Sequence, residues 1–249
     1  MSLPYPTRRQ LRQAPPPKKP SGGRGALRLT VQIIGELLIT IGVVLLLYVF
    51  WQLYWTTFEV QGGMAERIEQ FQSQNKGKQE YTEVRRTDDP PEVGPVAYGE
   101  VFGVLHVKKW DMEIPIAQGT TPEVLSNGDA GHYPETQMPG EIGNFAIAGH
   151  RRTYGNNFRR VDIMEPGDPI VVETAQAYIV YTVTGHRIVL PSETDVILPV
   201  PDEPGAVPTE RIMTMTTCDP EFGNSHRYIL WSKMEYWVSK EDGKPLVLQ

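Results

Sequence analysis

A single cysteine, Cys218, occurs in the 249 residues, and it ends an apolar, β-branched run from Arg211 to Thr217 of the kind that forms strands. Asp219-Pro220 and the cluster Gly223-Asn224-Ser225 stop that run, and a second strand-like run, Tyr228 to Val238, begins directly after Arg227. This pattern sets a thiol and a guanidinium at facing ends of two adjacent strands. A lone cysteine has no internal disulfide partner, so it is either a small buried hydrophobe or a reactive thiol. Upstream, the apolar run from Asn144 ends at Gly149-His150 and gives way to a polar loop, a position suited to an exposed general acid or base. Cys218, His150 and Arg227 together would supply a nucleophile, a proton carrier and a partner for developing negative charge. A free thiol is only a few per cent thiolate at neutral pH, so a nearby cation or imidazole must favour the thiolate or take the proton during attack. Arginine stays charged and cannot readily act as the base. The competing readings are a core cysteine, a surface-loop histidine, and an arginine paired with Asp219 or Glu221.

Thr214-Met215-Thr216-Thr217-Cys218 resembles the T-L-x-T-C signature of sortases, with the arginine nine residues after the cysteine and the histidine in an Ala-Gly-His motif upstream. G-H-Y-P (131 to 134), M-P-G-E-I-G-N-F-A-I-A-G-H-R-R-T-Y-G (138 to 155) and T-T-C-D-P (216 to 220) are most similar to class E housekeeping sortases of high-GC Gram-positive bacteria, over roughly residues 95 to 240. Met215 departs from the leucine of the signature, a volume-conserving change. The resemblance implies an all-β fold, an eight-stranded sortase-type β-barrel with short helices. It further implies that Cys218 attacks the threonine carbonyl of an L-P-x-T-G or L-A-x-T-G sorting signal, giving a thioester that a cell-wall amine resolves. His150 would protonate the leaving glycine amine and later take a proton from the incoming one; Arg227 would hold the tetrahedral oxyanion. Tyr133 and Thr217 are the implied substrate-side residues, Tyr133 by donating to a substrate carbonyl and Thr217 by shaping the pocket. The implied partners are secreted proteins with a C-terminal sorting signal, a peptidoglycan precursor amine and the lipid bilayer. A plain cysteine peptidase shares the acylation half, and a silent module that only captures signal peptides is the reading from another class.

The other histidines carry weaker signals: His106 and His186 lie inside strand-like runs, His226 sits in a loop, and His132 competes with His150 as proton carrier. No cofactor is expected, and no His and carboxylate spacing marks a metal site. Asp129, Glu135 and Glu141 are the carboxylates weighed for weak calcium binding.

Composition sets the frame. Residues 1–28 are proline-rich, hold seven Lys or Arg and no acid, and are expected to be a disordered cytoplasmic tail. Residues 29–55 are apolar over a length that crosses a ~30 Å hydrocarbon slab. Gln32 and Glu36 interrupt them near the basic end, and Tyr48, Trp51, Tyr54 and Trp55 form an interfacial belt at the other. The positive-inside rule leaves the N-terminus cytoplasmic and the remainder outside the plasma membrane, held by an uncleaved anchor. Residues 56–94 are expected to be an extracellular linker with a short helix from Met64, and 95–249 the catalytic domain. Within the linker, the acidic and proline patch from Asp88 to Pro91 reads as spacer rather than lid. Short β-type runs separated by turns from residue 97 onward predict a closed barrel, with a helix opening at Thr120-Thr121-Pro122. A net charge of −6, reached despite the basic tail, argues against nucleic acid as a partner.

Overall fold

The computed structural model describes the backbone of residues 23–249 and the side chains of 25–51 and 58–249. The chain divides after Trp51. Helix α1, Gly23–Gln74, opens the described chain. Its stretch Gly25–Trp51 is, among the described residues, the one helix long and apolar enough to cross a membrane. Within it the Gln32 amide donates to Glu36 at 2.9 Å, an i,i+4 bond that pairs the two polar interruptions. The tail expected to be disordered over 1–28 is helical from Gly23, where Ala26 and Leu27 are good helix formers and Thr30 Oγ1 bonds back to the Ala26 carbonyl at 3.0 Å. Residues 1–22 and the side chains of Tyr54 and Trp55 lie outside the described residues. The helix expected to start near Met64 is the last part of α1.

The second unit, Gln52–Gln249, is built on a closed barrel. Its strands follow β1 (Tyr81–Thr82) and are β2 (Val101–Val107), β3 (Met112–Gln118), β4 (Ala130–His132), β5 (Gly143–Ala148), β6 (Pro169–Glu173), β7 (Ala177–Val189), β8 (Arg211–Asp219) and β9 (His226–Ser239); β10 (Lys244–Pro245) follows. The barrel order is β2-β3-β4-β5-β8-β9-β7-β6, closed by the antiparallel β2/β6 pair. The pairs β3/β4 and β5/β8 are parallel, and the others antiparallel. Seven of the eight barrel strands coincide with runs visible in the sequence. β4 is only three residues long and sits inside the G-H-Y-P motif, too short for alternation to reveal. Helix α2, Pro122–Leu125, starts after Thr121 as its proline predicts.

Alternation along the strands sorts the side chains. Phe145 and Ile147 of β5, Met213 and Met215 of β8, and Tyr228 and Leu230 of β9 point into the main core. Their sequence neighbours face outward, where Val189, Val196 and Ile229 form a second cluster under the long β7–β8 connection. Asn144 secures that connection by donating to the Leu198 carbonyl at 3.0 Å while accepting from Thr214 Oγ1 at 2.8 Å.

The later part of the stretch 56–94 expected to be a linker is laid on the barrel. β9 has fourteen residues and its pairing with β8 stops at Lys233, which leaves a bare strand edge. Arg86 covers it with two 2.9 Å backbone bonds to Trp237, and β1 pairs in parallel with β10. Trp237 Nε1 donates to the Asp88 carbonyl at 3.1 Å, Asp89 pairs with Arg211, and Pro90 packs against Gly140. The acidic patch thus lies at the Arg211 end of β8, with Cys218 at the other. Backbone pairing to an existing edge leaves no hydrophobic period, so the sequence pattern could not show it.

The last turns of α1 pack on the barrel through Ile68 and Phe71 against Val104, and through Arg67 to the buried Asp129 at 2.8 Å. A buried polar cluster closes this contact. Glu173 accepts from Lys240 at 2.6 Å, from His106 Nε2 at 2.8 Å and from Gln72 at 2.9 Å, while Lys240 also donates to the Asn75 carbonyl. Burial opposes the Glu173 charge, but His106 and Lys240 outweigh it and hold the carboxyl down at about 2. That stabilisation is complete above the ordinary carboxylate value and is lost as pH falls from there toward 2, on the order of 3 kcal/mol in all. Urea unfolding across pH 2 to 5 should therefore show the wild type losing more stability than Glu173→Gln. Parallel losses in the two proteins would rule out Glu173 as the acid-sensitive group.

Candidate active site

Cys218 and Arg227 are direct cross-strand partners in the β8/β9 register. Inward-facing Met215 and Thr217 put Cys218 on the outer face of β8, and inward-facing Tyr228 puts Arg227 on the outer face of β9. The two side chains therefore share a face, with Cβ atoms about 5 Å apart by strand geometry. On the other side of β8, the parallel pairing with β5 runs to Ala148 and Thr216 and is extended by Gly149 N bonding the Thr216 carbonyl at 3.1 Å. Thr217 Oγ1 donates to the Gly149 carbonyl at 2.7 Å. His150 thus leaves the sheet next to the end of β8 that carries Cys218. All three residues are half-buried at one rim of the barrel.

Burial alone moves His150, keeping its imidazole below the usual histidine range and neutral at pH 7. Its ring lies 5.1 Å from Tyr154, and among the described residues no protein group bonds its nitrogens or the Cys218 sulfur. The salt bridge weighed for Arg227 does not form. Asp219 pairs with Arg151 at 2.6 Å, and Glu221 pairs with Arg152 at 3.0 Å and Arg159 at 3.1 Å. Arg227 instead donates to the carbonyls of Asn224 at 3.0 Å and His226 at 2.9 Å, so its charge has no carboxylate partner among the described residues.

Tyr133 stands close by. Burial raises its phenol above the ordinary range, while the Arg227 charge pulls the other way. Its hydroxyl shares a 2.9 Å bond with Thr216 Oγ1, so this bond must yield or be shared before the phenol can donate to another carbonyl. Thr217 points inward and ties β8 to the Gly149 carbonyl, which gives it a role in joining strands.

His132 differs from its expected part as a competing proton carrier. It is buried, with Nδ1 2.7 Å from Gln118 Oε1 and Nε2 3.0 Å from the Gln137 carbonyl, packed between Phe102 and Phe145. Both nitrogens are committed to the fold. Asp129, weighed for calcium, is paired with Arg67, and Glu141 accepts from the Met138 amide at 2.9 Å.

Arg151 is the residue the sequence reading passed over. It is 5% exposed, bonds Asp219 and reaches Asp162 at 3.2 Å, with Nη1 3.4 Å from the Cys218 carbonyl and its guanidinium over the Tyr228 ring. It therefore clamps the loop after His150 to the end of β8; removing one member of such a buried pair typically costs about 3–5 kcal/mol. Its signal was the basic pair directly following the histidine.

The topology and its one thiol at a barrel rim define a class of single-cysteine closed β-barrels. The Sortase domain profile matches residues 105–235. Sortase SrtE1 of Streptomyces coelicolor is 38% identical over 228 residues, 89% of this chain and 62% of that protein, so the chain spans less than two thirds of that relative's length. SrtE2 of the same organism is 32% identical over 86% of this chain and 88% of its own length. Among solved structures, the SrtA sortase from Actinomyces oris superposes with a TM-score of 0.64 at 49% identity, covering 66% of this chain and 96% of its own. Sortase E1 from S. coelicolor, solved with a tripeptide in the active site, gives 0.58 at 42% identity over 62% of this chain and 100% of that one. The chain belongs to the sortase family.

Proposed function

We propose that this sortase is a membrane-anchored cysteine transpeptidase. It cleaves an LAxTG- or LPxTG-type sorting signal between Thr and Gly and joins the carboxyl to a cell-wall amine. The observation that carries the reading is the shared outer face of Cys218 and Arg227 across one strand pair, with His150 leaving the neighbouring strand. The Cys218 sulfur attacks the threonine carbonyl, forming a C–S bond, as its proton passes to the neutral His150. The oxyanion that develops is held by Arg227, whose guanidinium no carboxylate among the described residues neutralises; one such contact is typically worth about 2.7–4 kcal/mol of barrier. Collapse breaks the C–N bond, and His150 returns the proton to the leaving glycine amine. The thioester is then attacked by an incoming amine, which gives its proton to His150; a C–N bond forms, the C–S bond breaks, and the departing thiolate takes the proton back from His150. Tyr133 borders the reacting groups and is read as a substrate contact; Thr217 acts through the strand end it secures.

The apolar stretch Gly25–Trp51 supports a single membrane span, and the basic residues before it favour a cytoplasmic N-terminus with the catalytic domain outside. The partners on this reading are secreted proteins with a C-terminal sorting signal, a peptidoglycan precursor amine and the bilayer.

Product analysis tests the reading. Incubation of the full chain with paired LAxTG and LPxTG peptides, with and without an amine acceptor, should give Thr–Gly cleavage and an amide-linked product when amine is present. Hydrolysed peptide as the sole product at saturating amine would indicate a plain peptidase. Bound but uncleaved peptide would indicate a capture module.

A further inference from the structure

The loop that carries His150 has an unusual backbone. Tyr154, Gly155 and Asn156 have φ of 49°, 95° and 58°, three consecutive residues in the left-handed region, which glycine and asparagine adopt readily and the bulky Tyr154 does not. Such a segment persists only where its surroundings fix it. The loop itself does this incompletely, since the side-chain oxygens of Asn156 and Asn157 are buried without a hydrogen-bond partner. What lies beneath is α1. A Cβ added to Gly155 would come within 3.0 Å of the Met64 sulfur and 3.5 Å of Val60, so the loop backbone rests on these two side chains. Gly128, before β4, rests on the same pair, and Asn157 donates to its carbonyl. Met64 is 4% exposed and belongs to the main core. From this contact the path to the imidazole is short: Tyr154 lies against the His150 ring, and Phe158 bonds the His150 carbonyl at 3.0 Å and packs on Gly149.

We infer that Met64, assisted by Val60, is a positioning residue for His150, so that a helical segment outside the matched domain of residues 105–235 is part of the active-site architecture. The inference rests on the proton-carrier reading of His150. Met64 touches no reacting atom; it fills the space that keeps the left-handed loop, and with it the imidazole, in one conformation. Truncating it opens a cavity under Gly155 and lets the loop relax toward ordinary dihedrals. Leucine, similar in volume, preserves the support.

The test uses the full chain in detergent or nanodiscs and compares Met64→Ala, Met64→Leu, Ile68→Ala and His150→Ala. Ile68 lies one turn on and packs against Val104, away from the loop, and so reports general loosening of the helix. Met64→Ala should lower kcat for thioester formation about tenfold with little change in KM, shift the acid limb of the pH profile and broaden the His150 ring signals in NMR. Met64→Leu should restore all three, and Ile68→Ala, at comparable loss of Tm, should leave them near wild type. Should Met64→Ala not fold, Val60→Ala carries the same expectation at smaller size. Unchanged kcat and pH profile in the alanine variant, or equal losses in Ile68→Ala, would overturn the inference. An active His150→Ala would instead remove the reading of His150, which distinguishes the two failures.

Discussion

Cys218→Ala should form no thioester with a sorting-signal peptide and should lose transpeptidation by roughly 10⁴- to 10⁶-fold, the scale seen when the nucleophile of an acyl-transfer site is deleted. On the proposed mechanism the loss is large because the sulfur carries the acyl group from the leaving amine to the incoming one; without it both half-reactions vanish, and only peptide binding and the oxyanion contact remain. The fold should survive, since Cys218 is half-buried and its strand is held by Arg151 at its carbonyl and by Thr217 one residue earlier. Intact-mass analysis after incubation with peptide reads the adduct directly, and a far-UV spectrum with a thermal midpoint checks folding. A folded Cys218→Ala protein that still transfers peptide to an amine at more than a per cent of the wild-type rate would place the nucleophile elsewhere.

His150→Ala should lower acylation by about 10²- to 10⁴-fold, the range for loss of a positioned acid–base group. The pH dependence gives this expectation its specificity. Burial lowers the His150 pKa, so the imidazole is neutral and able to accept the thiol proton at pH 7, and it loses that ability only as pH falls through a value below the ordinary 6.5. The acid limb of kcat/KM in the wild type should therefore lie below pH 6.5 and disappear in the alanine variant. The limb should persist in Arg227→Lys, because arginine does not titrate there. An unchanged acid limb in His150→Ala would assign the proton transfer to another group. His132 is the one to consider, although both of its nitrogens are already bonded within the core.

The candidate site was legible in the sequence to the extent that it depends on strand ends. Strand runs ending at Gly149 and Cys218, and another starting beside Arg227, set each of the three residues at a terminus, because alternation and turn residues are local signals. The partners of the neighbouring charges were not legible. Asp219 and Glu221 stood close enough in sequence to claim Arg227, yet the fold gives them to Arg151, Arg152 and Arg159 of the His150 loop. His132 looked like a rival of His150 until the core closed around it.

The amino-acid sequence by itself determined seven of the barrel's eight strands, the apolar N-terminal stretch and which residue types end at the rim of the candidate site. These follow from periodicity, β-branched content and turn chemistry, all of which act within a few residues of chain. Tertiary structure alone decided that Arg86 covers a bare edge of β9, that α1 lies beneath the His150 loop, and that Arg227 has no carboxylate partner among the described residues. Each of these is a contact between segments far apart in the chain, set by which edges, cavities and charges remain unsatisfied once the barrel has closed, and no local pattern encodes that remainder.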